Sequence, residues 1–187
     1  MFIQTEATPN PEVLKFLPGK AVLGEGTRDF RSPEEAAASP LAAELFEVTG
    51  VTRVFYGPDF ITVGKHASVD WPLLKAPILA AIMDHFTSGR PLFLEEGDQQ
   101  GGHDEGVYEG DTAQIVAEIK DLLDTRIRPA VAQDGGDIVY RGYRDGRLYL
   151  GMQGACSGCP SSTITLKRGI ENLIRHYVPE VESVEAV

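Results

Sequence analysis

Hydrophobic and polar positions along the first half change period several times. Glu12–Leu17 (EVLKFL), between Pro11 and Pro18-Gly19, has strand character, and Phe2–Gln4 is expected to pair with it. Ser32 before Pro33-Glu34-Glu35 predicts a short helix through Ala38, with a serine cap, proline at the first position and acids in the first turn. Ser39-Pro40 opens a second helix, with Leu41, Leu45 and Phe46 on one face and Gly50 as its stop. Val51–Tyr56 and Phe60–Val63 are β-rich runs separated by Gly57-Pro58-Asp59, a hairpin signal. A long helix then runs to about Ser88, with Leu74, Ile78, Ile82 and His85/Phe86 on its apolar face. Asp70-Trp71-Pro72 or Pro77 opens it; the earlier start implies a kink at Pro77.

In the second half, Asp111-Thr112 is the expected cap of a helix carrying Ile115, Ile119, Leu122, Leu123 and Ile127. Asp134-Gly135-Gly136-Asp137 reads as a turn that sets this helix against the sheet. Ile138–Arg144 and Arg147–Met152 alternate around Asp145-Gly146, a strong two-residue hairpin signal. A helix from Pro160 to about Tyr177 follows, with Leu166, Ile170, Leu173, Ile174 and Tyr177 inward, and Val181–Val187 reads as a last strand. The orders β-α-α-β-β-α and α-β-β-α-β describe an α+β protein of two small domains.

Charge locates the boundary. The chain has 187 residues and a net charge of −11. Residues 95–111 alone hold seven acids, five glycines and no base. Such a segment repels itself and lacks apolar periodicity, so it is expected to be a flexible acidic linker between domains spanning 1–94 and 112–187. The acidic balance argues against nucleic acid as a partner. No apolar run approaches the ~20 residues that cross a bilayer. The first residues, MFIQTE, lack a basic n-region and an Arg/Ser-rich stretch, so neither a secretory signal nor an intact transit peptide is expected.

The only two cysteines, Cys156 and Cys159, are three positions apart. They fall where a strand gives way to a helix, with Pro160 suited to its first turn and Cys159 at or beside the cap. Helix N–H groups favour a thiolate there. Gly151, Gly154 and Gly158 leave backbone free to approach the sulfurs, and Ser157, Ser161, Ser162 and Thr163 add small polar groups. A thiol pair in a Gly-rich turn expected to be exposed fills no core. Three readings stay open: a thiol–disulfide oxidoreductase, a zinc ion shared by two chains, and an iron–sulfur cluster bridging two chains. The four histidines, His66, His85, His103 and His176, have no metal-type spacing and read as structural or solvated, His103 lying in the linker. No acid/base pair and no nucleotide, serine-hydrolase or zinc-protease motif is present, so no enzyme activity is expected.

The ordered set DGGD at 134–137, a hairpin, then G-A-C-S-G-C-P-S-S-T-I-T-L at 154–166 resembles the C-terminal domain of the NifU/Nfu family. MFIQTE at 1–6, TPNP at 8–11, LKF at 14–16 and WPLLK at 71–75 resemble the N-terminal domain of the mitochondrial-type Nfu proteins. The resemblance covers nearly the whole chain apart from the linker. It implies a scaffold or carrier that holds a labile cluster, usually [4Fe-4S] with [2Fe-2S] as the alternative, between the Cys156/Cys159 pairs of a homodimer. It also implies delivery to apo-proteins, with upstream assembly proteins as donors and the first domain recognising clients or donors. The expected compartment is the bacterial cytoplasm, or the mitochondrial matrix for a processed eukaryotic form.

Overall fold

The computed structural model describes residues 1–94, 103, 106–158 and 160–187, with the backbone alone for 160–163. Two compact units emerge, Met1–Gln100 and Gly101–Val187. No helix among the described residues is long and apolar enough to cross a membrane.

The first unit is a five-stranded antiparallel sheet with helices on one face. Its strands are β1 (Gln4–Ala7), β2 (Val13–Leu17), β3 (Arg28–Phe30), β4 (Val51–Tyr56) and β5 (Ile61–Lys65), in the order β1-β2-β5-β4-β3. The helices are α1 (Pro33–Ala36), α2 (Pro40–Glu47) and α3 (Trp71–Ser88). Alternation puts Leu14, Phe16, Val54, Tyr56, Ile61 and Val63 in the core with Leu41, Leu45, Leu74, Ile78 and Ile82. The opposite face carries charge: Lys15 lies 3.7 Å from Glu6 and 4.7 Å above the Phe60 ring, and buried Asp29 receives Arg31 at 2.9 Å and both Nε and Nη2 of Arg53. Ser32 and Ser39 both cap their helices through the hydroxyl, as expected.

The structure corrects one expectation, adds a strand and decides between the two helix starts. The strand pairing with β2 is Gln4–Ala7 rather than Phe2–Gln4, with Thr5 opposite Phe16 and Ala7 opposite Leu14. β3 carries too few residues to announce itself. Helix α3 starts at Trp71 and runs through Pro77. Pro77 withholds an N–H from the Leu73 carbonyl, but both residues lie on the exposed side of the helix, where the loss costs less than in the core. Trp71 acts as a packing anchor, its Nε1 donating to the Pro11 carbonyl at 3.0 Å.

In the second unit, α4 (Asp111–Leu122), a π-helical segment (Leu123–Ile127) and α5 (Arg128–Gln133) form one continuous helical stretch. Gly110 is the N-cap residue and makes no side-chain cap bond, so Asp111 sits inside the first turn rather than capping it. There its charge favours the positive end of the helix. β6 (Gly136–Arg144) and β7 (Arg147–Gly154) form the hairpin, turning through Asp145 and Gly146 at φ of 51° and 76°. α6 (Pro160–Tyr177) crosses to β8 (Ser183–Ala186), which pairs parallel to β7 in the order β6-β7-β8. Ile119, Leu123, Ile138, Tyr140, Leu150, Ile170, Ile174 and Val184 form the core. Of the predicted inward face of α6, Tyr177 instead stands 46% exposed, beneath the Arg126 guanidinium at 5.0 Å.

Residues 95–102, 104 and 105 of the expected linker lie outside the described residues. Its described part packs on β6: the Tyr140 amide donates to Nδ1 of His103 at 2.8 Å, and the Tyr140 and Tyr108 hydroxyls are 2.5 Å apart.

Candidate functional site

The segment after β7 turns twice by virtue of glycine. Gly154 at φ 61° and Gly158 at φ 83° bracket Ala155-Cys156-Ser157, left-handed conformations that favour glycine. The Ser157 amide bonds the Gly154 carbonyl at 3.2 Å, and the Ala155 amide reaches the Gly135 carbonyl at 3.1 Å. This second bond ties the loop to the DGGD turn. The register does the same, since Gly136 pairs with Gly154 and Asp137 with Gln153. The DGGD motif is thus half turn and half strand, longer in its strand part than the sequence predicts.

Cys156 is 6% exposed and belongs to the same buried cluster as Val131, Ile138 and Met152. This corrects the expectation of an exposed thiol. The loop folds back over the sheet instead of standing off it. A Cβ at Gly136 would lie 2.3 Å from the Cys156 Sγ, so only a glycine leaves room for the sulfur. Cys159, Ser161, Ser162 and Thr163 lie outside the described side chains. Helix α6 does begin at Pro160, immediately after Cys159.

A charge network borders this turn that the sequence does not announce. Asp137 is 2% exposed and takes both Nε and Nη2 of Arg128, each at 2.8 Å, and its Oδ1 also accepts the Ile138 amide at 2.8 Å. Arg128 continues to Asp124 at 3.0 Å, which accepts from His103 Nε2 at 2.9 Å. Burial works against the Arg128 charge, but the Asp137 and Asp124 carboxylates outweigh it and raise its pKa. Burial lowers the His103 pKa against the pull of Asp124. The one available signal was the spacing of Arg128 and Asp137 across a predicted turn, which carries no period.

His66 and His85, expected to be structural or solvated, lie in the first unit. His85 is buried in α3 of the first unit, and His66 bonds Ser68 at 2.7 Å. Among the described residues, no three His, Cys, Asp or Glu side chains come together to hold a metal ion.

Residues 3–89 match the family described as scaffold protein Nfu/NifU N terminal, and residues 119–185 match the NifU-like domain. A human protein named NFU1 iron-sulfur cluster scaffold homolog, mitochondrial, is 55% identical over the whole chain, which spans 72% of its length. The Drosophila ananassae protein of the same name is 54% identical, the chain covering 64% of it. NifU-like protein 4, mitochondrial, of Arabidopsis thaliana is 52% identical over 99% of the chain and 65% of its own length. With its two domain types in this order and this identity along its whole length, the chain belongs to the NifU/Nfu family.

Proposed function

We propose that the protein is an iron–sulfur cluster scaffold or carrier, not an enzyme, and that its cargo is a [4Fe-4S] cluster held by Cys156 and Cys159 of two chains and passed to apo-proteins. The observation that carries this reading is the donor inventory. The chain has two cysteines in all, both in the β7–α6 connection, and no histidine or carboxylate cluster converges beside Cys156 among the described residues. Cubane clusters take four thiolates, so two per chain require a second copy. The donor set is soft, which suits iron–sulfur or zinc and disfavours hard cations. Membership in the NifU/Nfu family favours the cluster over zinc.

The burial of Cys156 bears on delivery. A ligand whose resting place is the core has somewhere to return when cargo leaves, which lowers the cost of release. The first unit supplies no thiol and is proposed to recognise client enzymes or the upstream donor. The experiment is anaerobic reconstitution of the full chain, followed by sedimentation with iron, sulfide and protein analysis. One four-iron cluster per dimer, with visible sulfur-to-iron absorption, is the expected result. A loaded monomer, a colourless zinc dimer, or dithiol activity in a colourless monomer would each overturn it.

A further inference from the structure

On the proposed reading Cys156 is a cargo ligand, and the residues that decide where its sulfur rests lie one layer behind it. Gly136 touches the sulfur, and Gly135 holds the loop through its carbonyl. Neither has a side chain with which to fix its own position. The next residue, Asp137, does: its buried carboxylate is gripped at both oxygens by the Arg128 guanidinium and also binds the Ile138 amide. A buried ion pair is a poor source of net stability, because apolar residues of similar volume usually serve as well or better. What the planar fork adds is direction, since two parallel bonds fix the carboxylate plane as a single contact does not.

We propose that Arg128 and Asp137 are positioning residues for the cargo-binding loop: their ion pair fixes the Gly135-Gly136 backbone and thereby holds the Cys156 thiol in its buried place. Asp124, which also binds Arg128 and is itself exposed, steadies the pair from outside. The pair's influence passes through the turn, by the Ala155–Gly135 hydrogen bond and the Gly136–Sγ contact.

The test uses the full-length apo-protein carrying Cys159→Ser, so that Cys156 is the one thiol. Alkylation by iodoacetamide is followed at its high-pH plateau, beside urea unfolding of the same samples. Arg128→Lys keeps the charge but not the fork, and Asp137→Asn keeps the shape but not the charge. Each is expected to speed alkylation about tenfold, beyond what its globally unfolded fraction accounts for. A rate equal to that of the parent, or one fully explained by global unfolding, would overturn the proposal. Should both variants fail to fold, exposed Asp124→Asn decides, with about a two- to threefold acceleration expected and an unchanged rate overturning it. In the two-cysteine protein, Arg128→Lys should also shorten the lifetime of the visible absorption under a chelator. Failure of the two-cysteine protein to load a cluster would count against the scaffold reading alone, while the alkylation rates still judge the positioning.

Discussion

Gly136 and Cys156 are in direct contact, the sulfur occupying the space that any larger residue at 136 would fill. The relationship is exacting because Gly136 is held in the ladder, opening β6 opposite Gly154 at the end of β7, and the Cys156 turn is tied to the neighbouring Gly135 carbonyl through the Ala155 amide. Gly136→Ala should therefore push Cys156 out of its pocket or strain the hairpin, costing about 1–3 kcal/mol of stability in the second unit. Urea unfolding of the apo-protein measures the cost, and faster thiol alkylation would show which of the two gave way.

Replacing the cysteines should separate two roles. Cys156→Ser and Cys159→Ser are each expected to abolish stable cluster binding, since either removes two of four thiolates from a symmetric dimer. Cys156→Ser should also destabilise the apo-protein by about 1–3 kcal/mol, because it puts a hydroxyl into the apolar cluster around Val131 and Ile138. Reconstitution by absorbance and urea midpoints check the two effects. A serine variant that kept a full cluster would reveal a ligand other than these thiols.

Ser39 and Tyr56 make a buried pair in the first unit, with both residues fully buried and their hydroxyls 2.8 Å apart. Ser39 also accepts the Ala42 amide as helix cap. Burial raises the Tyr56 pKa, so the phenol stays protonated and needs a partner. Ser39→Ala removes the cap and strands the phenol, for an expected loss of about 1–3 kcal/mol. Tyr56→Phe should cost less, since the serine keeps its cap bond. A double-mutant cycle followed by Trp71 fluorescence tests the pairing.

His85 predicts an acid weakness in the first unit. Its ring is 3% exposed, and Nδ1 has no hydrogen-bond partner among the described residues. Burial, aided by the Arg90 charge, lowers its pKa, with Glu44 and Asp84 opposing. The unfolded chain then binds the proton more readily than the folded one. Stability from this group is complete above the unfolded value of ~6.5 and falls as pH drops below it toward the lowered folded value. Urea midpoints read by Trp71 should decline through that window, and His85→Leu should flatten the decline. An unchanged slope in the variant would assign the effect elsewhere.

The described part of the linker adds to the second unit, so its length should matter. A fragment of residues 101–187 retains the His103–Tyr140 and Tyr108–Tyr140 contacts, and one of residues 112–187 loses them. The shorter fragment should fold but melt lower. Equal melting temperatures would mean that these contacts contribute nothing.

What the sequence made legible follows from the range of each signal. Helix faces and the Asp145-Gly146 turn depend on neighbours within a few residues, and Leu74, Ile78, Ile82, Ile170 and Ile174 all point where their spacing directs. The cysteine loop was legible as a location and not as a conformation. Whether Cys156 faces water or core depends on Gly136, twenty residues away, and a glycine carries no pattern that reveals what it makes room for. The same limit hid Asp137, which reads as turn composition until Arg128 is folded against it. Pro77 left the start of α3 open between two positions, since the local rule against an internal proline competes with the apolar face that continues on both sides of it.

The outer strand of the second sheet has a further consequence. β6 is nine residues long and, among the described residues, no strand lies on its outer edge, the usual template for runaway association between copies. On the proposed reading two copies meet around their cargo, where such a template is most hazardous. Two devices break it at the middle. The pairing with β7 slips between Tyr140 and Gly142, which twists the edge, and the His103 imidazole already occupies the outward Tyr140 amide. Copies can then gather at the cysteine loops and part again without zipping together along their backbones.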